Sequence, residues 1–124
     1  MGSHHSALVP FASVEPIQGF CGLVWELIDP GAGNSAGLST ALVEVNVGME
    51  ATLHLHRRTE EVYFILEGEG EVRLGAVSWK VGRWDSVLIR AGERHAIKNA
   101  GTAILRLLTI NHPAYDPDDS VFDE

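Results

Sequence analysis

The chain has 124 residues, enough to enclose one core and too few for two. Hydrophobic residues make up 45% and charged residues 21% of it, with no apolar run long enough to cross a bilayer as a helix. A formal net charge of −8 at pH 7, with no basic cluster beyond Arg57-Arg58, argues against nucleic acid and against an anionic membrane as partners.

The opening MGSHHS reads either as native sequence or as the remnant of an expression tag, so His4 and His5 are not enlisted in any site. Residues 1–20 are read as an N-terminal arm without the charged and apolar regions of a secretory signal. Cys21 is the single cysteine, which excludes an intrachain disulfide and gives no support to an oxidising compartment. A cytoplasmic location is the expectation.

From residue 21 onward no window keeps a helical stripe, and short β-branched runs punctuated by glycine recur instead. Strands are predicted at Leu23–Ile28, Leu38–Val47, Thr52–His56, Val62–Leu66, Glu71–Leu74, Val77–Trp79, Ser86–Ile89, His95–Asn99 and Ala103–Ile110. Turn residues separate them, among them Asp29-Pro30-Gly31, Gly48, Gly68-Glu69-Gly70, Gly75, Gly82, Gly92 and Gly101. So many short strands at regular spacing predict an all-β, antiparallel sandwich or barrel over 21–111. The remainder, 112–124, holds two prolines and a cluster of acids. It is expected to be an extended tail on the surface or against a neighbouring subunit.

Strand parity sorts the faces. In His95–Asn99 the row His95, Ile97 and Asn99 is the interior one, because the alternate row carries Lys98. Both rows of Ala103–Ile110 are mostly apolar, as in a strand covered on both sides. Glu44 and Asn46 interrupt an otherwise apolar strand and are expected to meet water.

The segment GMEATLHLHRRTEEVYFILEG (48–68) is the most informative stretch. His54 and His56 are two residues apart, so an extended backbone points both imidazoles to one face. A carboxylate from the pair Glu60-Glu61 enters on the next strand, and His95 follows in a later β-like segment. Two or three imidazoles with a carboxylate suit a divalent first-row ion, and these donor types alone do not choose among Mn, Fe, Co, Ni, Cu and Zn.

At these residues the chain resembles the cupin family. Gly48, five residues, His54-Leu55-His56, four residues, Glu61, six residues and Gly68 match every fixed position of that family's first motif. Gly92, two residues, His95, three residues and Asn99 fit the second, although Arg90 and Trp84 stand where the family has proline and glycine. The resemblance spans roughly Leu38 to Ile110. It implies a double-stranded β-helix (a jelly-roll barrel) binding one divalent metal through His54, His56, Glu61 and His95. It also selects Glu61 over Glu60, which is then expected to face outward and pair with Arg57 or Arg58.

Tyr63 shares the Glu61 face, and Arg106 sits in an apolar strand where it either snorkels to the rim or grips a substrate carboxylate; these two are the candidate substrate-binding residues. Asn99 is read as a turn tether, and Trp84 as a cap on the barrel end or a subunit interface. The resemblance implies an enzyme acting on a small oxygen-rich substrate, with an O₂-using dioxygenase first. A metal-dependent isomerase, decarboxylase or cyclase follows, and then a binding protein without turnover. It also implies a homodimer.

Overall fold

In the computed structural model, which describes residues 6–35 and 37–122, two antiparallel sheets face each other around one core. His4 and His5 lie outside the described residues. In chain order the strands are β1 (Ile17–Gln18), β2 (Leu23–Ile28), β3 (Ser39–Val45), β4 (His54–His56), β5 (Glu60–Glu67) and β6 (Gly70–Leu74). They continue with β7 (Val77–Val81), β8 (Ser86–Ile89), β9 (His95–Asn99), β10 (Leu105–His112) and β11 (Ser120–Phe122). One sheet runs β1-β2-β3-β10-β5-β8 and the other β11-β4-β9-β6-β7, so successive strands repeatedly change sheets, as in a double-stranded β-helix. Among the described residues no helix is long and apolar enough to cross a membrane.

Alternation along the two longest strands builds the interior. In β5 the side chains of Glu61, Tyr63 and Ile65 are buried while Val62, Phe64 and Leu66 on the other row are only half covered. In β10 the buried row is Leu105, Leu107, Thr109 and Asn111. Ile65 and Leu105 are completely buried, and Val45, Val72, Ile89 and Leu107 meet them from neighbouring strands and from the facing sheet. Each such side chain contributes roughly 1.5–3 kcal/mol through burial.

Two turns depend on unusual backbone. Gly68 has φ +90°, and a Cβ there would lie 2.9 Å from the Ile104 carbonyl oxygen, so only glycine fits between β5 and β6. Trp84 adopts φ +74° without being glycine. The glycine-like turn conformation is therefore kept despite the substitution, at a cost of roughly 1–2 kcal/mol. Its ring stacks on Phe64 at 5.9 Å between centroids and receives the Arg83 guanidinium at 4.8 Å, two contacts that offset part of the strain.

Both chain ends correct the expected layout. The N-terminal arm contributes β1, which pairs with β2. The C-terminal segment lies against its own barrel, where β11 pairs with β4 and places Ser120 opposite His56 and Phe122 opposite His54. Its anchor is Asp119, whose buried carboxylate accepts the backbone N–H groups of Arg58 and Thr59 at 3.1 Å each. The proline-rich, acidic composition suggested a surface tail because this anchoring partner is distant in sequence.

Candidate metal centre

Strand β4 projects His54 and His56 to one side, and β9 brings His95 directly opposite His54 in the antiparallel register. The ring centroids lie 4.3 Å apart for His54–His95, 5.0 Å for His54–His56 and 5.2 Å for His56–His95. One nitrogen from each ring falls within 4.8 Å of the others. Glu61 reaches the same point from β5 in the facing sheet, with Oε1 at 3.2 Å from His95 Nε2 and 3.4 Å from His56 Nε2.

Each imidazole is held at its outer nitrogen. His54 Nδ1 meets the Thr52 carbonyl at 2.7 Å and His95 Nδ1 the Glu93 carbonyl at 2.9 Å. A carbonyl only accepts, so both Nδ1 atoms carry the proton and both Nε2 atoms keep a lone pair for the centre. His56 Nδ1 meets Ser120 Oγ at 2.9 Å. Outer contacts of this kind fix ring orientation at metal sites.

The inner ends remain uncompensated. Glu61 Oε1 and His95 Nε2 are both buried and form no hydrogen bond among the described residues, although they face one another. A carboxylate oxygen and an imidazole nitrogen across 3.2 Å call for a proton or a cation between them. Neighbouring donors around one ion with bonds of about 2.1 Å sit about 3 Å apart, close to the 3.2 and 3.4 Å seen here. Three imidazoles and a carboxylate therefore fit a divalent cation in chemistry and in spacing.

Electrostatics agree. Burial alone would raise the Glu61 carboxyl, but His56 and His95 at its oxygen outweigh that effect and hold it below the usual carboxylate range. Burial, with the like charge of His95 and His56, pulls His54 below its ordinary value against the Thr52 contact. Both shifts favour the metal-ready forms.

The centre opens into a cavity of about 510 Å³, within the range of small-molecule sites. Its far wall is apolar, with Val24, Val43, Ile97 and Leu107, and its polar end adds Tyr63, Thr109 and Asn111 to the donors. Tyr63 is buried with its ring 6.1 Å from His95, and burial followed by the Glu61 charge pushes its hydroxyl well above the ordinary phenol range. It stays protonated and is a donor.

Arg106 is not brought to this centre. It lies on the row of β10 opposite Leu105 and Leu107, where Nε donates to Glu44 at 2.8 Å and NH1 to Glu67 at 3.0 Å. The guanidinium is taken up by two carboxylates on the outer face, which corrects its assignment to a substrate carboxylate. The same pair corrects Glu44, which is buried against Arg106, whereas Asn46 is exposed as expected. Glu60 does face outward, but its partner is Arg90 at 3.6 Å. Asn99 tethers its turn through Val45 O, Ala103 O and Gly101 N.

Several site residues had no sequence signal. Ser120 and Phe122, whose ring stacks on His54 at 5.0 Å, arrive with β11, and Tyr115 borders the cavity 6.1 Å from His56. Asn111 follows Leu105, Leu107 and Thr109 at period two. Extending the predicted strand past Ile110 would have found it.

The model of the cupin domain matches residues 41–111, and the chain belongs to the cupin family. It is 33% identical over 98 residues to the uncharacterized protein MJ1618 of Methanocaldococcus jannaschii, covering 79% of this chain and 78% of the relative. It is 23% identical over 103 residues to the tetracenomycin polyketide synthase protein TcmJ of Streptomyces glaucescens, covering 83% of this chain and 69% of that protein. Among solved structures, the Lactobacillus farciminis oxalate decarboxylase formate complex superposes with a TM-score of 0.76 at 22% identity. That match covers 90% of this chain and 34% of the decarboxylase, so the chain spans about a third of that protein's length and shares its fold.

Proposed function

We propose that this cupin is a metal-dependent enzyme acting on a small oxygen-rich molecule, and that its reaction is an O₂-using dioxygenation of an enolisable or catechol-like substrate. The observation that carries the reading is the convergence of His54, His56, His95 and Glu61, with Glu61 Oε1 and His95 Nε2 buried and without a hydrogen-bond partner among the described residues. These four residues would hold one divalent ion. When bound, that ion supplies Lewis acidity toward a chelating substrate and, for a redox-active metal, electron transfer to and from it. The protein supplies the rest. Glu61 contributes the negative charge, Tyr63 offers a proton-bearing hydroxyl, and the apolar wall excludes water and receives the substrate's carbon skeleton.

Metal analysis of the purified protein, followed by oxygen-electrode measurements with catechols and enediols, tests this. Substrate-dependent O₂ uptake by protein carrying iron, manganese, nickel or copper is the expected result. Full conversion under strict anaerobiosis would replace dioxygenation by a second reading, a non-oxidative isomerase, decarboxylase or cyclase. Unchanged ligand after long incubation would identify a binding protein.

The single cysteine accords with the cytoplasm. A homodimer is proposed as well. Trp25, Leu42, Leu108 and Phe64 form one cross-strand row on the outer face of the six-stranded sheet, only half covered within the chain. Sedimentation should give twice the chain mass, and Leu108→Glu should return it to one.

A further inference from the structure

Among the described residues, Asn111 carries a buried acceptor on the cavity wall that the metal reading does not explain. It sits on β10 with Glu61 as its neighbour across β5 and Ser39 across β3, only 4% exposed, and it lines the cavity. Its side-chain carbonyl Oδ1 is buried without a hydrogen-bond partner among the described residues. Leaving such an oxygen unpaired costs about 1–3 kcal/mol. The fold does satisfy its other buried asparagine: Asn99 donates to two carbonyls at 2.8 Å and accepts from Gly101 N–H at 2.9 Å. A leucine at 111 would fill similar space with no such cost. An unpaired acceptor at the polar end of a ligand-sized cavity is a group waiting for a donor from outside the protein.

The position defines the donor. Asn111 and Glu61 are cross-strand neighbours on one face, so Oδ1 lies beside the donor cluster. Val43, Ile97 and Leu107 also line the cavity and present hydrocarbon to it. A ligand that fits has a flat apolar body, two adjacent oxygens at the His/Glu centre and a further hydroxyl next to them. We infer that Asn111 is the specificity-determining residue of the site: its side-chain carbonyl accepts a hydrogen bond from a hydroxyl adjacent to the chelating pair, so the cavity selects aromatic or enolic molecules with three contiguous oxygens over those with two. This rests on the metal reading proposed above.

The test uses the full chain loaded with Zn(II), which is redox-inert, and titrates it anaerobically with catechol and with pyrogallol. Wild-type protein should bind pyrogallol about tenfold more tightly, the equivalent of about 1.4 kcal/mol. Asn111→Leu should bind the two equally while still taking up Zn(II). The methyl ether 3-methoxycatechol keeps the chelating pair and lacks the third donor. On the wild-type protein it should lose the tenfold advantage, a comparison independent of whether the variant folds. Equal wild-type affinity for catechol and pyrogallol, a preference that survives in Asn111→Leu, or no binding of either probe to zinc-loaded protein would each overturn the inference and leave the metal reading standing. Failure of wild-type protein to bind Zn(II) would instead overturn the metal reading, and this inference with it.

Discussion

Replacing Ser120 with alanine removes the oxygen that meets His56 Nδ1 at 2.9 Å while leaving the main-chain pairing of β11 with β4 intact. The ring loses the contact that fixes its rotation. A neutral hydrogen bond contributes about 1 kcal/mol net. Loss of an outer partner to a metal-bound histidine lowers affinity roughly tenfold to hundredfold. His56 is one of four proposed donors, and its ring is also confined by His95 at 5.2 Å and Tyr115 at 6.1 Å between centroids. The lower end is therefore expected, about a tenfold weaker Kd for Zn(II) or about 1.4 kcal/mol. Competition titration against a chelator measures it, with Ser120→Thr as the control that keeps the hydroxyl and suits a strand. A Ser120→Ala affinity within twofold of wild type would refute the reasoning. So would an equal loss in Ser120→Thr, because the hydroxyl would then not be the operative group.

Glu61→Gln should weaken Zn(II) binding at least tenfold with an unchanged circular dichroism spectrum, since it removes the carboxylate that meets His56 and His95; full metal retention would discard Glu61 as a ligand. Asp119 bears on pH dependence. Burial alone would raise its carboxyl, but the N–H groups of Arg58 and Thr59 outweigh that effect and hold it below its ordinary 3.8. The stabilisation is thus present above that value and lost as pH falls through the lower folded one. Wild type should melt higher than Asp119→Asn at neutral pH, and the two should converge in acid; a gap that persisted there would contradict the assignment. Trp84→Gly should be more stable than Trp84→Ala by about 1 kcal/mol in urea unfolding, because alanine keeps the φ +74° strain and glycine relieves it.

The legible part of the molecule is the part built from local periodicity. His54 and His56 share a face because a strand has period two, and β2, β8 and β9 fall where β-branched runs lie between turn residues. Ser120 and Arg106 show where such reading stops. Ser120 reaches His56 across 64 positions, through a strand anchored by Asp119 rather than by any apolar pattern. Arg106 looked exceptional in an apolar strand, yet its partners Glu44 and Glu67 lie 62 and 39 positions away on two different strands. Pairings across the sheet settle both residues, and no window of the sequence contains them.

The division of labour between the two sheets follows from the same topology. All three imidazoles come from β4 and β9, neighbours in the five-stranded sheet, and their outer nitrogens are tied to backbone carbonyls and to β11 within that sheet. Tyr63, Thr109 and Asn111 come from β5 and β10 in the facing sheet, from which Glu61 turns to the histidines. The cavity side chains at 63, 109 and 111 thus stand on different strands from the histidines and their outer contacts. That separation explains why the histidines are legible in a short motif and the rest of the cavity is not: the three imidazoles stand on one sheet, and Tyr63, Thr109 and Asn111, which line the cavity with them, are contributed by the other.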